Sequence, residues 1–221
     1  MTGRRAPDQP AYVLHARPFR ESHWLLELLT PNQGRFTVVG RGSRPALFCP
    51  CLVRTHGTAE LKQLSDWRYQ GAAPVHQGAA LVQGLYINEL CVRLVPRFQA
   101  DEAFFGVYAS TFLLLAEPAQ QAPALRYFER RLLEAIGFGL DYRQTMDTGD
   151  WIEPGGYYRF DPARGFCRGG RDNDLPGRLI QAIADNDWRP GPALSAARGI
   201  NASRIQHVLE GRSWHSKNWV C

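Results

Sequence analysis

Apolar and polar positions alternate in short runs through the first eighty residues, and then the spacing switches to three or four. The early runs are Tyr12-Val13-Leu14-His15, residues 24–29, Arg35-Phe36-Thr37-Val38-Val39, Cys51-Leu52-Val53 and the loosely alternating residues 59–64. Turn residues separate them: Pro18 after the first, Pro31-Asn32-Gln33-Gly34 before the third, and Gly40 and Gly42 behind it. Short strands with turn signals about every ten residues predict a small closed barrel of five strands. An OB-fold and an SH3-like barrel share this pattern, and periodicity does not separate them.

After Gly78 the pattern is helical. Leu81, Leu85 and Leu90 mark one helix that stops near Pro96. Asp101-Glu102 opens a second, where acidic residues suit the positive end of the helix dipole; its stripe is Phe104, Val107, Tyr108 and Leu115. A third has Pro123 in its first turn, runs through Leu125, Phe128, Leu132 and Ile136, and closes at Gly137 and Gly139. Such stripes read as a shared helical core. Beyond residue 150 the pattern is mixed. Asp161-Pro162-Ala163-Arg164-Gly165 predicts a hairpin turn, Leu179, Ile180 and Ile183 a short helix, and Ser203 the cap of another. The expected class is α+β, with a barrel over residues 1–77, a helical domain over 78–150 and a small mixed region over 151–221 packed on the helical domain.

The 221 residues are 44% hydrophobic and 21% charged, which excludes a disordered chain. The longest aliphatic run, Leu113-Leu114-Leu115-Ala116, is far short of the ~20 residues a bilayer crossing needs. No apolar segment follows the basic N-terminus, so neither a secretion signal nor membrane association is expected. The five cysteines (Cys49, Cys51, Cys91, Cys167 and Cys221) are odd in number and scattered, which suits a reducing compartment. The expected location is cytoplasmic.

Charge changes the picture more than composition does. The net charge is +5, and residues 1–80 carry all of it, with ten basic and five acidic side chains; the remaining 141 residues hold sixteen of each. A localised cationic surface is the footprint of a polyanion, most often nucleic acid. Arg17, Arg20, Arg35, Arg41, Arg44, Arg54 and Lys62 are the candidate DNA contacts.

Evidence for catalysis is thin. GxxxxGK[ST], HExxH and GxSxG motifs are all missing. Asp147-Thr148-Gly149 matches the aspartic-protease tripeptide, but it lacks the second copy that supplies the partner carboxylate. Cys49, Cys51 and His56 are the only hint of a metal site, with no fourth ligand. No catalytic residue, metal or cofactor is expected.

Several segments resemble one family throughout the chain. Residues 12–22, running on to Leu29-Thr30, look like the opening of the bacterial recombination mediator RecO. Gly34-Arg35-Phe36-Thr37-Val38-Val39-Gly40-Arg41-Gly42-Ser43-Arg44 resembles its third strand and basic exit, and Glu60-Leu61-Lys62 follows. Gly84-Leu85-Tyr86-Ile87-Asn88-Glu89-Leu90 is the most distinctive stretch. Ala124-Leu125-Arg126-Tyr127-Phe128-Glu129, ending at Gly137-Phe138-Gly139, matches a later helix. Leu209-Glu210-Gly211-Arg212-Ser213-Trp214-His215-Ser216-Lys217 is a degraded form of the family's G-[KR]-P-L-K-S-R signature.

The resemblance implies an N-terminal OB-fold, a nucleoid-associated protein that binds single- and double-stranded DNA, and annealing of complementary strands. It also implies docking on the C-terminal tail of single-stranded-DNA-binding protein and, with RecR and often RecF, help in loading RecA. Arg126 and Arg130, with Leu125 and Phe128, match the helix that holds the partner tail, and Arg126 is expected to meet its terminal carboxylate. The sequence departs from the family in three places. The basic loop after Arg44 is short, the region after Gly139 lacks the cysteines that hold zinc in some members, and the terminal signature has lost its proline. Two other readings stand beside this one: a barrel that binds single strands of DNA or RNA without a mediator role, and a hydrolase using Asp147.

Overall fold

Val13, Leu26, Leu28, Phe36, Val38 and Val53 are fully buried, and together they fill the inside of a closed barrel. A computed structural model describes residues 7–71, 77–170, 174–189 and 191–210. Arg4, Arg5, His76, Cys221 and the terminal signature from residue 211 onward lie outside the described residues.

The barrel strands are β1 (Gln9–Phe19), β2 (His23–Thr30), β3 (Gly34–Arg41), β4 (Cys51–His56) and β5 (Leu61–Tyr69). Their order is β1-β2-β3-β5-β4, and β4 closes back on β1 through Gln9↔Val53, Pro10↔Leu52 and Ala11↔Cys51. All pairs are antiparallel except β3 with β5, which is parallel from Thr37↔Leu61 to Val39↔Gln63. This order is that of an OB-fold, so topology decides what periodicity left open.

Two strands run further than the sequence pattern suggested. β1 continues through Pro18, which pairs with Trp24, because β4 pairs with β1 only up to Ala11 and leaves Pro18 with a single neighbouring strand. β5 extends to Tyr69 along β4, past the end of its pairing with β3.

Two helices belong with the barrel: α1 (Gly78–Leu94) and α2 (Glu102–Leu114). Asp101 caps α2 by accepting a hydrogen bond from the Phe104 N–H at 2.8 Å. The Asn88 side chain on α1 donates to Leu14 O of β1 at 2.9 Å and accepts from the Tyr108 hydroxyl of α2 at 2.6 Å. These bonds tie both helices to the barrel, and the first compact unit accordingly extends to Pro118. The expected boundary at 77/78 falls inside that unit. The stripe expected on α1 is also rotated: Ile87, Leu90 and Cys91 are buried, whereas Leu81 and Leu85 are more than a third exposed.

The second unit begins at Ala119. It holds α3 (Gln121–Ala135), β6 (Tyr157–Asp161), β7 (Gly165–Arg168), β8 (Leu175–Pro176), α4 (Gly177–Ala184) and α5 (Ala193–Val208). The sheet order is β7-β6-β8, around a core that includes Tyr158, Phe166, Ile180 and Ile200. The Asp161 carboxylate accepts from the Ala163 and Arg164 N–H groups and shapes the predicted hairpin turn. The expected boundary at 150/151 falls inside this unit. Ser203 is not a cap. It lies within α5, which starts ten residues earlier in the helix-favouring run Ala193-Leu194-Ser195-Ala196-Ala197-Arg198.

Candidate nucleic-acid interface

The β1–β2 hairpin and the exit of β3 meet at one end of the barrel. Arg17 sits opposite Leu25, Phe19 opposite His23, and His23 opposite Arg41, while the Gly42 N–H donates to Ser22 O at 2.9 Å. Arg20 occupies the turn between β1 and β2 in a left-handed conformation (φ 55°), with its guanidinium 5.2 Å from the Phe19 ring centre. The Trp24 indole N–H donates to Gly42 O at 3.0 Å, and the Arg44 guanidinium lies over that indole at 4.7 Å. Arg17, Arg20 and Arg41 are exposed and, like Arg44, form no ion pair among the described residues. Four of the seven candidate cations thus converge on one end, outside any ion pair among the described residues.

The other three are occupied within the fold. Arg35 is 9% exposed; it pairs with Glu27 and donates through Nε to Val95 O at 2.7 Å. Glu27 also accepts from the Thr37 hydroxyl and lies 3.5 Å from Arg97. Arg35 is therefore part of a buried polar network on the outer side of β2 and β3. Arg54 pairs with Asp8 at 2.7 Å, and Arg68 reaches the same carboxylate at 2.6 Å. The Arg68 hydrogen bond, helped by the Arg54 charge, holds the Asp8 carboxyl below its ordinary pKa. Lys62 lies 4.8 Å from the Phe36 ring centre and donates to the Gln33 side chain.

Beside the cationic end is a cleft of about 300 Å³, lined by Arg41, Ser43, Leu64, Ser65, Asp66 and Trp67. It opens where β3 and β5 part, beyond Val39↔Gln63. A β-bulge between Arg54 and Thr55 leaves Ser65 as the extra residue of β5, which re-aims the neighbouring side chains. The sequence pattern placed Trp24 in a strand and missed Trp67 and the bulge. The available signal was Trp67 itself, set between Asp66 and Arg68 in the basic third of the chain. A wider apolar groove of about 570 Å³ runs between β1 and α1, with Leu14, Leu47, Leu85 and Val92 among its walls.

The residues expected to hold a partner tail are placed differently from that expectation. Arg126 is 7% exposed, and its Nη2 lies 3.1 Å from Glu129 Oε1. The Asn201 side chain of α5 donates to Arg126 O and to Glu129 Oε2. Arg130 donates to Ile183 O at 2.6 Å and to Ala184 O at 3.2 Å, while Leu125 and Phe128 are buried in the core. The amphipathic pitch of α3 puts these arginines against α4 and α5 rather than toward solvent, so the four side chains are engaged inside their own unit.

The other candidates resolve as local structure. Asp147 accepts from the Thr148 N–H, the Thr148 hydroxyl donates to Asp150, and Gly149 has φ 75°, which makes a polar turn. Cys49, Cys51 and Cys91 are buried. Burial pushes the Cys51 thiol up to about 12 and raises that of Cys91 as well. His56 shares a 2.9 Å hydrogen bond with Ser65. Among the described residues no three His, Cys, Asp or Glu side chains are grouped as metal ligands, and no helix is long and apolar enough to cross a membrane.

A closed OB barrel with a cation-rich end, carrying two helices of its own and followed by a second α+β unit, defines a class of OB-fold proteins with appended helical and mixed regions. Residues 75–189 match the family described as recombination protein O C terminal. A DNA repair protein RecO of Marinobacter nauticus is 34% identical over 96% of this chain and 92% of its own. Those of Stutzerimonas stutzeri and Nitrosococcus oceani are 37% and 38% identical, covering 94% and 87% of this chain and 90% and 83% of theirs. The chain belongs to the RecO family.

Proposed function

We propose that the chain is a non-enzymatic mediator of DNA repair and homologous recombination. It binds single- and double-stranded DNA through the open end of its barrel and anneals complementary strands. With RecR, and with RecF where that protein takes part, it assists RecA onto DNA covered by single-stranded-DNA-binding protein. The corresponding location is the cytoplasm, at the nucleoid. The observation that carries this reading is the convergence of Arg17, Arg20, Arg41 and Arg44, with no ion pair among the described residues, at one end of an OB barrel. A cluster of arginines without carboxylate partners repels itself, and a row of phosphates relieves that repulsion while releasing counterions. Family membership supports the same reading, since the relatives carry the name DNA repair protein RecO.

The partner tail of single-stranded-DNA-binding protein remains part of this proposal, with Arg126 and Arg130 of α3 engaged within their own unit. The test is annealing of complementary oligonucleotides coated with single-stranded-DNA-binding protein, without nucleotide triphosphate. The full chain should accelerate annealing. Binding without annealing would favour a simple single-strand binder, and hydrolysis of an added peptide that is abolished by Asp147→Asn would favour the hydrolase.

A further inference from the structure

The cleft between β3 and β5 combines features that a phosphate track does not need. We infer that it is a seat for one unpaired nucleobase of a single-stranded DNA, a step that rests on the nucleic-acid reading above. Its volume of about 300 Å³ lies at the lower bound of pockets that enclose small ligands. One wall is Trp67, half-buried against the barrel core and packed edge-on to Tyr69 with ring centres 5.1 Å apart. Trp67 is thereby held in place beside the cleft, and stacking on a fixed aromatic ring accepts any base.

Asp66 argues for a base rather than a phosphate. Its side chain is 61% exposed; Oδ1 accepts from the Trp67 N–H at 2.9 Å, and Oδ2 is 3.9 Å from Arg54. A carboxylate at the rim of the cleft repels a phosphate but accepts N–H donors from a base edge. Ser43 adds an exposed hydroxyl that serves as donor or acceptor, while the Ser65 hydroxyl donates to Arg54 O at 3.2 Å and bonds His56 at 2.9 Å. Arg41 lines the same cleft and belongs to the cationic end, so it can hold the phosphate of the nucleotide whose base is seated. The cleft exists because β5 continues along β4 after leaving β3, and the bulge at Ser65 turns this part of the strand toward the gap. A base paired in a duplex cannot enter. The seat therefore gives the barrel a preference for single strands that charge alone does not supply.

The experiment uses the full chain and two fluorescently labelled strands of equal length, one a mixed-sequence DNA and the other an abasic sugar-phosphate. Wild type should bind the intact strand more tightly than the abasic one. Trp67→Leu should weaken binding of the intact strand roughly 5- to 150-fold, the span of one lost base stack, and leave the abasic strand almost unchanged. Trp67→Phe should retain most of the difference. Ser43→Phe, which fills the cleft from an exposed loop without touching the core, should reproduce the selective loss even if Trp67→Leu does not fold. Equal wild-type affinity for the two strands, or an equal loss on both in the variants, overturns the base seat while the phosphate-binding surface stands. Failure of wild type to bind either strand at low salt overturns the nucleic-acid reading, and the seat with it.

Discussion

Arg126 and Glu129, one turn apart on α3, form an ion pair of 3.1 Å with only 7% and 2% of their side chains exposed. Asn201 holds the same carboxylate from α5 at 3.0 Å, so the pair joins two helices of the second unit. Removing one partner of such a pair leaves the other charged and desolvated, at a cost of about 3–5 kcal/mol. Arg126→Ala should destabilise the protein by about that much in urea denaturation. The double change Arg126→Met with Glu129→Leu should recover most of the loss, because apolar residues of similar volume carry no desolvation penalty. A stable Arg126→Ala protein that had lost binding to a carboxylate-terminated peptide would instead restore the tail-receptor role.

Arg35 makes the same point inside the barrel. Its guanidinium pairs with Glu27 and bonds Val95 O, and Glu27 is itself only 9% exposed. Arg35→Ala should cost about 3 kcal/mol of stability, since it leaves a buried carboxylate short of a partner. The salt dependence of DNA binding, measured below the unfolding transition, should not change. A flatter salt dependence with unchanged stability would place Arg35 on the DNA instead.

How much was readable in the sequence follows from what each signal reports. The barrel was legible because Val13, Leu26, Leu28, Phe36 and Val38 alternate with turn residues between runs. Its identity as an OB-fold needed the β3–β5 pairing, a contact between strands that are not neighbours in sequence. Charge counting placed the basic excess in the first third of the chain, but it weighed Arg35 and Arg41 equally. Only tertiary contact shows that Glu27, eight residues before Arg35, takes one of them. On α3 the spacing of Arg126 and Arg130 correctly gave a shared face, and nothing local showed that α4 and α5 cover it. The cleft was illegible because a bulge shifts the register of Leu64, Ser65 and Asp66, and no periodicity announces one.

Acidification provides a further test. Asp8 has its carboxyl pKa lowered, first by the Arg68 hydrogen bond, and it ties the segment before β1 to β4 and β5. A carboxyl with a lower pKa in the folded than in the unfolded state stabilises fully above the unfolded value of about 3.9. That stabilisation fades as pH falls through the folded pKa. Asp8→Asn should therefore unfold at lower urea than wild type near neutral pH. The two midpoints should converge as pH falls through the folded pKa, below that unfolded value. A gap that persists unchanged in acid would show that the ion pairs contribute nothing through charge.

Thiol reactivity should follow burial. The thiolate is the reactive form, and burial raises the Cys51 thiol to about 12 and lifts Cys91 too, whereas Cys167 is half-exposed. In native protein at pH 8, an aromatic disulfide reagent should modify Cys167 well before Cys51 or Cys91, as read by peptide mapping. Equal rates at Cys51 and Cys167 would show that the barrel wall around β4 opens far more readily than its packing implies.

The central claim is that the four arginines at the barrel end carry the phosphate contacts. The measurement is the slope of log binding constant against log salt for a single-stranded oligonucleotide, comparing wild type with the fourfold Arg17, Arg20, Arg41 and Arg44→Ala variant. Each lost phosphate contact should flatten the slope by about 0.7, so a reduction of roughly 2 to 3 is predicted when all or nearly all of the four touch DNA. Arg17, Arg20 and Arg41 are exposed and, like the half-buried Arg44 over Trp24, outside any ion pair among the described residues, so the variant should unfold at nearly the wild-type urea concentration. A folded variant with the wild-type slope and affinity would contradict the account and move the DNA elsewhere on the protein.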